Sequence, residues 1–116
     1  MRDDRENIIV SRTFEFSIQI IIFCELLESE KKYVVARQLL KSGTSVGANV
    51  REAQNAESKA DFIHKMKIAA KEADEAQYWL LICNAAPSYP SCEGLLSEIS
   101  QILKIVSKII SSSKNS

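Results

Sequence analysis

The sequence predicts an all-α fold, an antiparallel up-down-up-down four-helix bundle. Three observations carry that expectation. Punctuation is scarce, with three glycines and two prolines in 116 residues, which favours a few long helices over many strands. Apolar residues recur at spacings of three and four along four segments, roughly 11–28, 33–54, 58–84 and 93–111, the period of a helix with one buried side. The clear break between long segments is "APSYPSCEG", with Pro87 and Pro90. The length suits one domain, 1–116, with a core that needs no staples. A hydrophobic content of 46% with 26% charged residues is ordinary for a globular chain.

The first helix is expected from about Ser11, a plausible N-cap, to Glu28. Its apolar residues fall on two opposed sides. Phe14, Ile18, Ile21 and Ile22 line one; Phe16, Ile20, Phe23 and Leu27 line the other. A helix that is apolar on both sides needs two partners. One side can fill the core, and the other argues for self-association. The β-branched run "IQIII" would suit a strand, but the length of the segment and Glu25–Leu26–Leu27–Glu28 favour a helix.

The second helix carries "SGTSVGANVREA", which at first sight resembles a loop or a phosphate cradle. Placed at 100° intervals, Val35, Ala36, Leu39, Leu40, Gly43, Val46, Gly47, Val50 and Ala53 fall in a single stripe about 140° wide, with Lys41, Ser45 and Glu52 opposite. A loop would not keep that period across two glycines. Each glycine costs about 1 kcal/mol of helix propensity relative to alanine. Close approach of a neighbouring helix at Gly43 and Gly47 is the compensation expected, as in small-xxx-small packing. The third helix opens on Ser58 and Asp61, an approximate capping box. Its residues Phe62, Met66, Ala69, Ala73, Ala76, Leu80 and Cys83 keep 4-3-4-3 spacing, a bundle seam. The narrow middle, Ala69, Ala73 and Ala76, is expected to face the glycines of the second helix. In the fourth helix Leu95, Ile99, Ile102, Val106 and Ile109 form the seam, flanked by Leu96, Leu103 and Ile110, and the tail "SSSKNS" is expected to fray.

Chemistry is sparse along the chain. Cys24, Cys83 and Cys92 are odd in number and lack C-x-x-C spacing, which reads as reduced thiols in a cytoplasmic protein. The single histidine, His64, lies on the polar side of the third helix, with no second ligand at metal spacing. No Gly-Lys-Ser/Thr follows Gly43 and Gly47, and no nucleophile sits beside a base in sequence. No catalytic residue, metal, cofactor or small-molecule substrate is therefore expected. The start, "MRDDRENIIV", has no signal-peptide core, and the longest apolar run, Ile20 to Cys24, is too short to span a membrane. Arg51, Lys65 and Glu72 sit at the edges of apolar stripes, where charges want partners; a structural ion-pair network of these three with Glu75 is the expectation.

Net charge is zero but unevenly spread. Residues 1–30 hold three basic and seven acidic groups, and residues 31–71 nine basic and three acidic, net +6. Residues 72–98 hold five acidic groups and no basic one, and residues 99–116 add three lysines. The +6 block is a candidate phosphate-contacting face, with Arg37, Lys41, Lys59, Lys67 and Lys71 the foremost candidates. It also has a plainer reading, a solvated helix surface balanced by acidic neighbours.

"SGTSVGANVREA", "ESKADFIHKMKIA" and "KEADEAQYWL" together resemble the 23S rRNA-intervening-sequence proteins, over the stretch Arg37 to Leu80. "SRTFEFSIQI" fits more loosely, and the region after Asn84 departs most. The resemblance implies a four-helix bundle assembled into a ring-like homo-oligomer, a pentamer, with no established enzymatic activity. It also connects the chain to the accessory variability determinants of diversity-generating retroelements, basic pentameric bundles that bind nucleic acid and a reverse transcriptase. The expected function is a non-enzymatic oligomeric bundle that binds RNA or DNA through a basic face; the alternative is a protein-interaction scaffold without nucleic acid.

Overall fold

The computed structural model describes the backbone of residues 4–116 and the side chains from Ile8 onward. Four helices account for most of it: α1 Asp4–Ser29, α2 Tyr33–Ala53, α3 Lys59–Ala85 and α4 Glu93–Lys114. They form a rod of 47 × 19 × 19 Å. α1 packs against α2 and α4, and α3 packs against α2 and α4, while neither diagonal pair brings its Cα atoms within 8 Å. The cross-section is therefore a square of four helix contacts around one apolar core.

The repeating seams are buried as their spacing requires. Met66, Ala69, Ala73, Ala76, Leu80 and Cys83 of α3 lie in the core, as do Ile99, Ile102, Val106 and Ile109 of α4. In α1 the buried side is Phe16, Ile20, Phe23 and Leu27, joined by Ile9 and Thr13. The Thr13 hydroxyl is satisfied within its own helix, donating to the carbonyl of Ile9 at 2.8 Å. At the start of α3 the Ser58 hydroxyl accepts from the backbone N–H of Asp61 at 3.1 Å, and Asp61 in return accepts from the N–H of Glu57 at 3.1 Å. The reciprocal cap forms, one residue earlier than the Ser-x-x-Asp pattern implies. The turn after α1 closes through a left-handed Lys31, φ 64°. Lys32 N–H bonds the Leu27 carbonyl at 2.8 Å and Lys31 N–H bonds that of Glu28 at 2.9 Å, a Schellman closure that ends the helix without glycine.

Three expectations are corrected. Ser11 is not a cap: α1 begins at Asp4, and Ser11 lies inside it. The tail expected to fray from Ser111 is helical as far as Lys114. Most consequentially, the glycines of α2 face α1 rather than the alanines of α3. A Cβ on Gly43 would stand 2.9 Å from two side-chain carbons of Ile20, and one on Gly47 would stand 3.1 Å from the backbone oxygen of Thr13 and 3.3 Å from the Ser17 hydroxyl. Leu40, at the edge of the α2 stripe, is exposed.

The cysteines are free and buried in the core. Burial pushes the Cys24 thiol up to about 12 and that of Cys83 up to about 11, because a thiolate cannot be solvated there. The Cys92 thiol donates to the carbonyl of Leu80 at 3.2 Å.

Two predictions follow from this packing. Gly47→Leu should destabilise the fold by about 1–3 kcal/mol or more through overpacking, whereas Ser45→Ala should stay within about 0.5 kcal/mol, both read from urea unfolding. A Gly43→Ala/Ile20→Ala cycle should be non-additive by about 0.5 kcal/mol or more; strict additivity would mean the two residues do not touch. The thiols set a pH dependence. Both folded-state values lie above the ordinary one near 9, so their contribution is fully present below pH 9 and is lost as pH rises towards 11 and 12. Unfolding free energy should fall with pH above 9 more steeply in the native chain than in Cys24→Ala/Cys83→Ala. Parallel curves would contradict the assignment.

Candidate nucleic-acid interface

The basic residues of interest separate onto different helices. Arg37 and Lys41 lie one turn apart on the solvent side of α2, next to the exposed Tyr33, Val34 and Leu40. Lys59, Lys67 and Lys71 are exposed on α3. The Lys59 ammonium donates to a main-chain oxygen of Ser116, which brings the end of α4 beside the beginning of α3.

Sequence reasoning missed the contribution of α4. Lys104, Lys108 and Lys114 are all exposed, and no acidic residue follows Glu98. The neighbouring Lys67 ammonium depresses the Lys114 pKa. Lys104 and Lys108 occupy the side of α4 away from the buried Ile102, Val106 and Ile109. The signal was available in the sequence as a terminal segment with three lysines and no acid. Counting charge by linear blocks separated it from α3.

The polar residues Arg51, Lys65, Glu72 and Glu75 are not brought into one network. Lys65 pairs with Asp61, its nitrogen 3.1 Å from both carboxylate oxygens. The Glu57 N–H and then the Lys65 ammonium hold the Asp61 carboxyl below its ordinary range. Glu75 accepts from the indole N–H of Trp79 at 3.4 Å. Arg51 lines a groove of about 250 Å³ between α1 and α2, with Val10, Phe14 and Gly47. Glu72 is half-buried on α3. Among the described residues an ion pair does join two helices at Arg12–Glu98, a two-point contact of 2.8 and 3.0 Å between α1 and α4. It borders a larger groove, about 450 Å³, floored by Phe16, Phe23 and Leu95. That groove lies away from the lysines. His64 is exposed, and among the described residues no three His, Cys, Asp or Glu side chains converge as metal ligands.

A second surface is apolar. Phe14 is 58% exposed and Ile22 54%, with Ile18 and Ile21 between them on the outward side of α1. Among the described residues no helix is long and apolar enough to cross a membrane, so this row has no membrane-spanning explanation in α1.

Known proteins bear on these surfaces through likeness alone. A protein with unknown function from the S23 ribosomal protein family of Bacteroides thetaiotaomicron VPI-5482 has a solved structure at 38% identity and a TM-score of 0.87. The likeness covers 92% of this chain and 98% of that one. No curated protein matches. The family model of the 23S rRNA-intervening sequence protein matches residues 5–111, nearly the whole helical rod. This chain belongs to the 23S rRNA-intervening sequence protein family.

Proposed function

We propose that the chain is a non-enzymatic, oligomeric helical bundle that binds RNA or DNA through a basic face. The observation that carries the reading is the unneutralised lysine surface of α3: Lys67 and Lys71 are exposed, and the helix from Phe62 to Lys71 contains no acidic residue. Ammonium groups left without protein counter-ions favour an external polyanion. A non-enzymatic role is supported by the chemistry of the nucleophiles. The Cys24 and Cys83 thiols are held protonated, the reverse of what an activated nucleophile needs. Reduced thiols also support a cytoplasmic location.

The bundle runs up-down-up-down in this reading. Ile20 sits beside Gly43 while Thr13, earlier in α1, sits beside Gly47, later in α2. Lys59 meets Ser116 and Lys67 meets Lys114 along α3 and α4. Arg12 meets Glu98, while Phe23 and Cys92 line one groove along α1 and α4. Each pairing descends in one helix as it climbs in the other.

Self-association uses the outward row of α1, and a ring-like homo-oligomer, the pentamer that the family resemblance implies, would repeat a weak basic patch and raise avidity. The alternative is a protein-interaction scaffold. Its support is the zero net charge and the exposed apolar residues of α1 and α2.

Binding of structured RNA should weaken linearly in log affinity against log salt. No salt-dependent binding at low ionic strength would leave the scaffold reading in its place. Light scattering at micromolar concentration should give a multiple of the 13.0 kDa chain mass. Phe14→Glu/Ile18→Glu should reduce it to the monomer with the helical signal intact. A native chain that is already monomeric would end the oligomer reading.

A further inference from the structure

We propose that the lysines shared by the solvent sides of α3 and α4 (Lys67, Lys71, Lys104, Lys108 and Lys114, with Lys59 at the end) contact the phosphate backbone of a nucleic-acid duplex without reading its sequence, and that Arg37 and Lys41 lie outside this site. The inference rests on the nucleic-acid reading above and narrows it to one surface and one kind of ligand.

The first reason is placement. α4 packs on α3, and there the Lys67 ammonium stands near enough to Lys114 to lower its pKa. The Lys59 ammonium at the start of α3 lies on the last residue of the chain. Like charges this close repel unless an anion lies between or above them. The next acidic residue along α3 is Glu72, half-buried, and α4 has none after Glu98. Lys65 is excluded because Asp61 already neutralises it.

The second reason is residue type. All the cations of α3 and α4 are lysines; the arginines of the chain lie elsewhere. Lysine is a point charge suited to phosphate, whereas base edges are read by the planar forks of arginine or the amides of asparagine and glutamine. Aromatic platforms are few. Between Lys59 and Lys71 the rings are Phe62, packed against the core, and the exposed His64; α4 contains none, and the exposed Tyr78 lies two turns beyond Lys71. Single strands are held largely by stacking on aromatics. More lysines than stacking residues favour a duplex.

The third reason is density. Lys104 and Lys114 are ten residues apart, about 15 Å along a helix. Over about 15 Å a duplex carries about nine phosphates and a single strand about four. Five ammonium groups on two helices, leaving out Lys59, exceed the phosphates that a single strand offers. Arg37 and Lys41 form a sparser pair on one helix, interleaved with exposed Val34 and Leu40, which suits protein contact better.

The test uses the full chain and fluorescent DNA and RNA duplexes of about 20 base pairs, in two unrelated sequences, with the matching single strands, over about 50–300 mM salt. Both duplex sequences should bind alike and more tightly than the strands. Lys67→Gln/Lys71→Gln/Lys114→Gln should weaken duplex binding at least about tenfold at low salt and reduce the log–log salt slope by about 3. Lys104→Gln/Lys108→Gln should reduce it by about 2, while Arg37→Gln/Lys41→Gln leaves it unchanged. Circular dichroism checks that each variant is folded. Should Arg37→Gln/Lys41→Gln abolish binding and the lysine variants keep it, this site is wrong though the nucleic-acid reading stands. A preference for single strands overturns the duplex assignment in the same way. Absence of any nucleic-acid binding, or capture only by phosphatidylserine vesicles, overturns both.

Discussion

The close approach of α1 to α2 is the contact on which the rest of the bundle depends. Gly43 gives up its Cβ to the branched side chain of Ile20, and Gly47 gives up its own to the backbone of Thr13. Such proximity is possible only where small residues meet a helix whose polar groups are already satisfied. Thr13 bonds back to Ile9, and Ser17 bonds back to the Thr13 carbonyl at 3.0 Å. Seating α1 this deeply has a second effect. With Ile20, Phe16 and Phe23 turned into the square core, Phe14, Ile18 and Ile22 are carried to the opposite side. The tight packing and the exposed apolar row are two results of one helix orientation. Relieving one by rotating α1 would expose Phe16 and Ile20 instead.

The repeating apolar patterns made the helices legible because periodicity survives any choice of partner. The seams of α3 and α4, and the split of α1 into two sides, are found at the residues the spacing names. The beginning of α1 was harder to read for a physical reason. Ile9, Thr13, Phe16, Ile20, Phe23 and Leu27 keep 4-3-4-3-4 spacing, but a threonine in the second position reads as polar until its hydroxyl is known to bond within the helix. The partner of the glycines was misread on a different principle. Small residues suggest small neighbours, yet here the missing Cβ makes a socket for isoleucine, and large fills small. Which helix supplies the large residue depends on the order of helices around the square, and no one-dimensional pattern contains that.

The basic surface was half legible for a related reason. The +6 block between residues 31 and 71 spans α2 and α3. Arg37 and Lys41 therefore entered the same group as Lys67 and Lys71, although they ride on another helix. The lysines of α4 lie 33 or more residues beyond Lys71 in sequence, on a helix that packs on α3. Lys65 was read as a member of a network across helices, yet it takes Asp61, four residues away and the nearest carboxylate on its own helix.

Zero net charge is no obstacle to a polyanion site on this scaffold. At physiological salt the field of a charge falls off over about 8 Å, well below the 47 Å length of the rod. What an approaching polyanion would meet is the local sign, not the sum. The acidic residues that bring the total to zero lie largely in the first thirty residues and between Glu72 and Glu98, and Glu98 is itself tied to Arg12. Asp74 and Glu75, three and four residues beyond Lys71 on α3, are exposed and would repel a phosphate that overran the lysines. A neutral protein with segregated charge can thus hold a polyanion in one register while lacking the long-range attraction that a uniformly basic protein would exert.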